Sequence, residues 1–254
     1  MNDLFGIQGL HVLVTGGSSG LGRFFATFLA ARGARVTVGA RRAEALTKTV
    51  DDIAAAKGQA QSVVMDVTVG ASIATALDTA EARFGLIQIV INNAGVTATR
   101  PALQQDESDW DKVIDTNLKG VWLVAQTAGR RMVAHKVKGS IVNVASILGL
   151  RVASSVAPYA ISKAGVVQMT KALALEWARY GIRVNALAPG YFETELNDDF
   201  FQQAGGQALK RIPQRRLGEL RELEGPLLLL ASEAGSYMTG SVIVADGGHV
   251  VSTL

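Results

Sequence analysis

The feature that most constrains the fold is a glycine-rich turn between a short apolar run and a helical stretch. Residues 11–15 read His-Val-Leu-Val-Thr, and residues 16–22 follow as Gly-Gly-Ser-Ser-Gly-Leu-Gly. The next apolar residues, Phe24, Phe28 and Leu29, recur at helical spacing. Glycines let the backbone turn tightly and approach a pyrophosphate, and the helix beyond offers free N–H groups and a partial positive charge. This order predicts a dinucleotide-binding βαβ unit, although a glycine turn can also be purely structural.

The same alternation continues along the chain. Helical patterns separate further apolar runs of strand length at residues 35–39, 61–66, 86–91, 140–145, 181–187 and 241–244. Alternating strands and helices predict a parallel sheet with helices on both faces, and the right-handed crossover rule leaves a few doubly wound orders. The 254 residues are 48% hydrophobic, which is enough for one large core. The predicted fold class is therefore α/β, a Rossmann-like doubly wound parallel sheet in a single domain over residues 1–254.

Composition and charge argue against several classes of partner. The 25 basic and 22 acidic residues leave a net charge of +3, and the basic pairs are scattered, so no nucleic acid partner is expected. No cysteine is present, and His11, His135 and His249 lie on no common element, so no metal site is predicted. No apolar run reaches the ~20 residues of a membrane span, and the first residues lack the pattern of a secretory leader. The expectation is a cytoplasmic protein without a membrane partner.

The end of the second predicted strand bears on the choice of cofactor. An acidic residue at this place in a dinucleotide-binding unit would bind the adenosine ribose of NAD, whereas arginine would pair with the 2′-phosphate of NADP. Ala40 stands where the acid is expected, and Arg41 and Arg42 follow it. This favours NADP(H) over NAD(H). The other interpretation is a solvated basic turn in front of the next helix.

Polar residues follow the strands in the middle of the predicted sheet. Asn93 comes at the end of the fourth strand and Ser146 at the end of the fifth. The carboxyl ends of parallel strands share one edge, so both should face one crevice with Gly16. Asn117 lies inside a predicted helix over residues 110–132, where asparagine is disfavoured, so it is either exposed or has a polar role.

A tyrosine and a lysine share one face of a further predicted helix. Pro158 suits a first helical turn, and the apolar pattern after it places Tyr159 and Lys163 four residues apart. A phenol titrates near ~10, and acid/base work at neutral pH needs its phenolate stabilised, which a fixed cation does. Such a pair also arises by chance, so its meaning depends on the other motifs.

A set of short motifs runs in order along essentially the whole chain. The motifs are Thr15-Gly16-x-x-x-Gly20-x-Gly22, Asp66-Val67, Asn92-Asn93-Ala94-Gly95, Asn117, Ser146, Tyr159-x-x-x-Lys163 and Pro189-Gly190-x-x-x-Thr194. Each is weak alone, but together and at this spacing they make the chain resemble a classical short-chain dehydrogenase/reductase. The resemblance implies seven parallel strands ordered 3-2-1-4-5-6-7 and a nicotinamide cofactor across the carboxyl edge of the sheet.

The resemblance also implies roles for the polar set. Tyr159 would be the catalytic acid/base, and Lys163 would lower its pKa and bind the nicotinamide ribose. Ser146 would hold and polarise the substrate oxygen. Asn117 would anchor a water that connects Lys163 to solvent. Carbonyl reduction needs a hydride donor and a proton donor at one carbonyl, and this set supplies the second.

The residues expected to bind the cofactor form a larger group. They are Gly16, Ser18, Ser19, Gly20, Leu21, Gly22, Arg41, Arg42, Asp66, Val67, Asn93, Ala94, Gly95, Tyr159, Lys163, Pro189, Gly190, Phe192 and Thr194. The glycine loop would contact the phosphates and the adenosine end of the cofactor. Asp66 and Val67 would contact the adenine, and Asn93 the adjoining ribose. Phe192 and Thr194 would contact the nicotinamide carboxamide.

The substrate side is less constrained. The helical pattern breaks over residues 193–217, which makes that segment a candidate substrate lid, or else a flexible surface excursion. The residues expected to line the pocket are mostly apolar: Ile147, Leu148, Leu150, Tyr191, Phe192 and Leu196. They favour a medium-sized, largely apolar ketone or secondary alcohol over a charged sugar acid. Arg151 either pairs with a substrate carboxylate or points to solvent.

Three functions remain open at this point. The favoured one is an NADP(H)-dependent ketone reductase or secondary-alcohol dehydrogenase. The alternatives are an NAD-dependent sugar or polyol dehydrogenase or a 3-oxoacyl-thioester reductase, and a non-catalytic nucleotide-sensing protein, which would not need a proton donor. The resemblance further implies a homotetramer assembled through helices near residues 106–134 and 157–180 and the C-terminal segment.

Overall fold

A computed structural model, which describes residues 3–192 and 209–252, folds the alternating pattern into one parallel sheet. The strands are β1 (His11–Thr15), β2 (Arg35–Ala40), β3 (Gln59–Val64), β4 (Ile89–Asn92), β5 (Gly139–Val144), β6 (Ile182–Pro189) and β7 (Val242–Ala245). Their order across the sheet is β3-β2-β1-β4-β5-β6-β7, and every neighbouring pair is parallel. The predicted fold class and strand order are confirmed.

Seven α-helices of the described residues cover the sheet. They are α1 (Gly20–Ala31), α2 (Ala43–Ala55), α3 (Gly70–Phe84), α4 (Glu107–Ile114), α5 (Gly120–Ala134), α6 (Ala157–Trp177) and α7 (Glu224–Ala231). Successive side chains of a strand point to opposite faces. Val12 and Val14 therefore pack with the helices α1, α2 and α7, while Leu13 packs with α3, α5 and α6. Both faces are buried, as expected for a parallel sheet.

Two predicted strands are displaced along the chain. The third was predicted at residues 61–66 and is Gln59–Val64, and the fourth was predicted at residues 86–91 and is Ile89–Asn92. Ile87 is 2% exposed, yet its N–H bonds to the Glu81 carboxylate at 3.3 Å. Residues such as Ile87 are apolar because they are buried, although they do not pair in the sheet. An apolar run in the sequence therefore cannot show whether its residues belong to a strand or are only buried.

The helix predicted over residues 110–132 is interrupted. Its first part, α4, is capped by Asp106, whose Oδ1 accepts from the N–H of Asp109 at 2.9 Å. Between α4 and α5 a π-helical turn spans Asp115–Lys119 and contains Asn117, which is fully buried. A π turn holds one more residue than an α turn and is frequent at functional sites.

Candidate active site

A crevice of about 440 Å³ runs along the carboxyl edge of the sheet. Most of the predicted site residues line it: Gly16, Ser18, Ser19, Gly20, Leu21, Arg41, Arg42, Asp66, Val67, Asn93, Ala94, Gly95, Ser146, Tyr159, Lys163, Pro189, Gly190 and Phe192. The crevice therefore brings together residues that lie as much as 176 positions apart in sequence, from Gly16 to Phe192.

The glycine loop leaves room for a ligand against the backbone. Gly16 has φ +68°, and a Cβ there would lie 2.9 Å from Ala94 Cα, so this close approach requires glycine. Ser19 precedes α1, and its side chain does not cap the helix. The first N–H groups of α1 are thus open to a pyrophosphate, so the loop fits the diphosphate of a dinucleotide.

Gly22 lies behind the glycine loop, and its predicted part in cofactor binding stays a prediction. It does not line the crevice. A Cβ at this position would lie 2.2 Å from the Gly16 carbonyl oxygen and 2.5 Å from Asn93 Nδ2. Gly22 therefore lets α1 pack closely under the loop and supports the cofactor site from behind.

Thr15 ties the glycine loop to the loop after β4. Its buried Oγ1 accepts hydrogen bonds from the N–H groups of Asn93 and Ala94, both at 3.0 Å. Asn93 Nδ2 in turn donates to the Thr15 carbonyl at 3.1 Å. The sequence analysis predicted no separate role for Thr15. Its position as a polar residue at the end of an apolar strand could have indicated one.

Replacing Thr15 with valine is expected to lower the free energy of unfolding by about 2–4 kcal/mol, because two partly buried N–H groups lose their acceptor while the side-chain volume is kept. Urea unfolding measures the change, and fluorescence titration with NADPH should show weaker binding. Thr15→Ser retains the hydroxyl and is the control. Equal stability of the valine and serine variants would contradict the assigned hydrogen bonds.

Arg41 and Arg42 stand at the end of β2, on the rim of the crevice. Both are exposed, and neither forms an ion pair with another residue in the described ranges. Ala40 also lines the crevice, and no carboxylate stands at its position. Arg42 is the N-cap residue of α2, and its side chain does not cap that helix. Positive charge and free N–H groups therefore meet at this end of the crevice.

Asp66 is held by the turn that follows β3. Its Oδ1 accepts from the Thr68 N–H at 2.9 Å and from the Thr68 hydroxyl at 2.7 Å. These two hydrogen bonds keep the pKa of the Asp66 carboxyl below its ordinary value. The side chain is therefore an oriented carboxylate at neutral pH.

Tyr159, Lys163 and Ser146 meet in the middle of the crevice. The Ser146 hydroxyl lies close enough to the Tyr159 hydroxyl to lower the pKa of that phenol. Lys163 Nζ lies 5.6 Å from the centre of the Tyr159 ring and donates to the Val144 carbonyl at 2.7 Å. Ser146 Oγ also accepts from the Leu148 N–H at 3.1 Å, which fixes the direction of its hydroxyl. The predicted pairing of Tyr159 with Lys163 on one helix face, next to Ser146, is present.

Burial acts on the ionisation of this group. Burial raises the pKa of Tyr159, the nearby Ser146 hydroxyl partly offsets this, and the nearby Tyr191 raises the pKa further. Burial also lowers the pKa of Lys163 to about 8. Burial therefore sets the net direction for both groups, and the predicted lowering of the Tyr159 pKa by Lys163 stays a prediction.

The raised pKa of Tyr159 predicts different pH dependence for the two directions of the expected reaction, alcohol oxidation and ketone reduction. Alcohol oxidation needs the deprotonated hydroxyl, so its kcat/KM should rise up to about tenfold per pH unit between about pH 6 and 8. The rise should flatten above pH 8, since the pKa of Lys163 is about 8 and its charge is lost there. Ketone reduction, measured on the same samples, should not rise over this range. An oxidation rate independent of pH would show that another group takes the proton.

Asn117 does not line the crevice but clamps its wall. Its Oδ1 accepts from the Val96 N–H at 2.8 Å, and its Nδ2 donates to the Val96 carbonyl at 2.9 Å. Nδ2 also donates to Ser162 Oγ at 3.2 Å, and that hydroxyl donates to the Tyr159 carbonyl at 2.7 Å. The buried amide therefore joins the loop after β4 to the helix of Tyr159. Its predicted role as the anchor of a water stays a prediction.

The loop after β6 closes the far end of the crevice. A Cβ on Gly190 would lie 2.6 Å from Asp246 Cβ, and Phe192 is 4% exposed and packs over Gly218. The predicted contact residue Thr194, the pocket residue Leu196 and most of the predicted lid, residues 193–208, lie outside the described residues. The remaining part of the predicted lid segment, residues 209–217, packs beside the carboxyl end of β7, and its role as a lid stays a prediction.

Arg151 takes neither of the two positions considered for it. Its Nη1 donates to Ser252 Oγ at 3.0 Å and to the His249 carbonyl. Arg151 therefore fastens the C-terminal segment to the turn that follows Ser146, and it does not line the crevice. Sequence could not show this, because the partners lie about 100 residues away.

Six crevice residues were not singled out from sequence: Gly39, Met65, Val96, Thr116, Val144 and Ala145. Most of them flank predicted residues at strand ends, where the backbone passes the crevice. The available signal was their position next to Arg41, Asp66, Gly95 and Ser146.

Two further properties concern the described residues as a whole. None of the helices within residues 3–192 and 209–252 has the length and hydropathy to cross a lipid bilayer. Within the same ranges, no three His, Cys, Asp or Glu side chains are grouped as metal ligands would be.

Comparison with known proteins shows similarity over nearly the full chain. Residues 16–250 match a family model described as Enoyl-(Acyl carrier protein) reductase. Gluconate 5-dehydrogenase of Gluconobacter oxydans (strain 621H) is 36% identical over 252 residues, which cover 98% of each chain. The 3-oxoacyl-(acyl-carrier-protein) reductase FabG of Thermotoga maritima is 39% identical over 96% of this chain and 99% of its own.

A solved structure agrees with this fold. The crystal structure of a gluconate 5-dehydrogenase from Burkholderia cenocepacia J2315, in complex with NADP and tartrate, has a TM-score of 0.94 at 37% identity. The similarity covers 99% of this chain and 99% of that one.

Proposed function

Because this chain belongs to the classical short-chain dehydrogenase/reductase family, and is thus an NAD(P)-dependent oxidoreductase acting on CH–OH and C=O groups, we propose that it interconverts a hydroxyl and a ketone of a sugar acid. NADP(H) is the preferred cofactor. The observation that carries the catalytic part is the placement of Ser146, Tyr159 and Lys163 together in the crevice, with Lys163 Nζ 5.6 Å from the centre of the Tyr159 ring.

The residues of the crevice account for the proton and the substrate oxygen. When bound, the nicotinamide supplies or accepts the hydride. Tyr159 donates its phenolic proton to the ketone oxygen in reduction and accepts it back in oxidation. Ser146, whose Oγ accepts from the Leu148 N–H, can donate its hydroxyl proton to the same oxygen and polarise it. The ammonium of Lys163 stabilises the phenolate that remains on Tyr159.

The preference for NADP(H) rests on the end of β2. Arg41 and Arg42 supply positive charge on the crevice rim, and Ala40 offers no acceptor to an adenosine ribose hydroxyl. The Burkholderia relative, solved with NADP, supports this choice.

The sugar-acid substrate replaces the apolar ketone favoured from sequence alone. Two of the similar proteins are named as gluconate 5-dehydrogenases. The apolar residues on which the earlier expectation rested include Leu196, which lies outside the described residues, and Leu150, which is 42% exposed. A 3-oxoacyl thioester is the second candidate, supported by the 39% identity to the Thermotoga reductase.

An assay of purified protein tests the function. NADP+ with D-gluconate, and NADPH with 5-keto-D-gluconate, should give turnover that requires Tyr159. The same reactions with NAD(H), and reduction of an acetoacetyl thioester by NADPH, measure the alternatives. Faster turnover of the thioester than of the keto acid would replace the sugar-acid proposal with the second candidate.

Self-association accompanies the proposed function. Large apolar side chains on α4, α5 and α6 are exposed in the single chain, including Trp110 at 42%, Trp122 at 39% and Leu175 at 84%. Exposed apolar surface of this kind on adjacent helices supports the proposed homotetramer.

A further inference from the structure

A glycine and an aromatic ring are in close contact beyond the end of β6. Phe192 follows that strand, and Gly218 precedes α7. The two residues form a parallel β-bridge, and the Gly218 N–H donates to the Tyr191 carbonyl at 2.9 Å. A Cβ on Gly218 would overlap Phe192 Cε1 and would lie 2.7 Å from Cζ and 2.8 Å from Cδ1. The edge of the ring thus occupies the place that a side chain at residue 218 would need.

The Phe192 ring separates two spaces. A second cavity, of about 150 Å³, lies beside the crevice. Phe192 lines both spaces, whereas Gly218 lines only the second cavity. The ring therefore stands between Gly218 and the crevice, and a side chain added to residue 218 would push the ring toward the crevice.

Hydrogen bonds hold the chain on both sides of Gly218. The Arg216 guanidinium bonds to the two carboxylate oxygens of Glu222, both at 2.6 Å. The Glu219 N–H donates to the same carboxylate at 2.8 Å. These bonds close a loop around Gly218, whose own N–H is bonded to Tyr191. Volume added at Gly218 would therefore be taken up by the aromatic ring and not by the backbone.

Phe192 lies at the end of the crevice where the nicotinamide is expected. The strand order places the end of β2, with Arg41 and Arg42, at one end of the crevice and the loop after β6 at the other. The two arginines form the proposed site of the 2′-phosphate, so the nicotinamide would lie at the opposite end, toward Ser146 and Phe192. A displaced ring would narrow the nicotinamide end of the crevice and leave the adenosine end unchanged.

We propose that Gly218 is a positioning residue for the cofactor: because it has no side chain, the Phe192 ring stays clear of the space that the nicotinamide needs. This inference rests on the proposed function in its use of NADPH. Gly218 acts through the ring, since it does not itself line the crevice. Its backbone does not require glycine, because its φ lies outside the left-handed region, so replacement by alanine tests the space alone.

The experiment compares the whole cofactor with a fragment of it. Gly218→Ala should raise the dissociation constant of NADPH by about 10- to 100-fold, because the nicotinamide must push the ring back against the added methyl group. Adenosine 2′,5′-bisphosphate carries the 2′-phosphate but no nicotinamide, so its dissociation constant should stay within about twofold. Isothermal titration calorimetry measures both values.

Gly225→Ala is the matched control. Gly225 is an exposed residue of α7, and a Cβ there would meet no atom within 4 Å. The same substitution at this position should change neither dissociation constant.

Removal of the ring provides a rescue. Phe192→Val deletes the three ring atoms that a Cβ on residue 218 would meet. In that background Gly218→Ala should change the dissociation constant of NADPH by less than about twofold. The same pair of variants decides the case in which Gly218→Ala alone does not fold, because the shorter side chain relieves the overlap.

Three results would overturn the inference. One is an unchanged affinity of Gly218→Ala for NADPH. The second is an equal loss of affinity for NADPH and for the bisphosphate, which would indicate a general structural effect. The third is a loss in the Phe192→Val background as large as that in the unmodified protein.

A failure of the proposed function gives a different result. The titrations contain no substrate, so a protein that turns over neither gluconate nor 5-keto-D-gluconate is tested in the same way. If the unmodified protein binds NADH more tightly than NADPH, the comparison is made with NADH and ADP, and the same outcomes support or overturn the role of Gly218.

Discussion

Replacing Tyr159 with phenylalanine is expected to lower kcat by about 10³-fold or more, with the dissociation constant of NADPH within about twofold of its original value. The change removes only the hydroxyl, and the ring whose centre lies 5.6 Å from Lys163 Nζ remains. Steady-state kinetics with 5-keto-D-gluconate and fluorescence titration with NADPH measure the two quantities.

Tyr237→Phe is the matched control for this prediction. Tyr237 is fully exposed, so loss of its hydroxyl should change neither quantity. If Tyr159→Phe retained more than about a tenth of the activity, the proton would come from another group. A large loss of NADPH affinity in the same variant would instead indicate a structural role for the hydroxyl.

Replacing both Arg41 and Arg42 with alanine is expected to raise the dissociation constant of NADPH by about 10- to 100-fold or more, and to leave that of NADH nearly unchanged. Both residues lie on the crevice rim, and neither pairs with an acid in the described part of the chain. Replacing them therefore breaks no ion pair within the described residues. The loss of NADPH affinity then measures their interaction with the 2′-phosphate. Titration of each variant with both cofactors measures the ratio.

Ala40→Asp tests the same position in the opposite direction. A carboxylate at the end of β2 should strengthen NADH binding through the ribose hydroxyls and repel the 2′-phosphate of NADPH. If the dissociation constants of NADPH and NADH changed equally in either set of variants, this end of the crevice would not distinguish the 2′-phosphate from a ribose hydroxyl.

Strand order and the reactive pair were predictable because they depend on local patterns. The run Val12-Leu13-Val14 between polar and glycine residues is enough to indicate a buried strand, and repetition of strand and helix limits the topology. Tyr159 and Lys163 are four residues apart on one helix, so their proximity follows from helix geometry. Residues at strand ends, such as Asn93 and Ser146, were placed by the shared edge of the sheet.

The properties that could not be predicted depend on distant partners. Arg151 bonds to the C-terminal segment, and the sequence between them does not indicate that contact. The raised pKa of Tyr159 and the lowered pKa of Lys163 arise from burial by several elements at once. Thr15 looked like an ordinary strand residue until the fold brought Asn93 next to its hydroxyl.

Because of the π-helical turn at Asp115–Lys119, the geometry of the active site depends on the number of residues between α4 and α5. Deleting one residue there would restore the regular α-helical ladder, and it would rotate α4 relative to α5 by about 100°. Asn117 could then no longer reach both Val96 and Ser162. A one-residue deletion is often neutral in a surface loop, but it would not be neutral here. The shorter chain would have a more regular helix, and it would lose the hydrogen bonds by which Asn117 joins the loop after β4 to the helix of Tyr159.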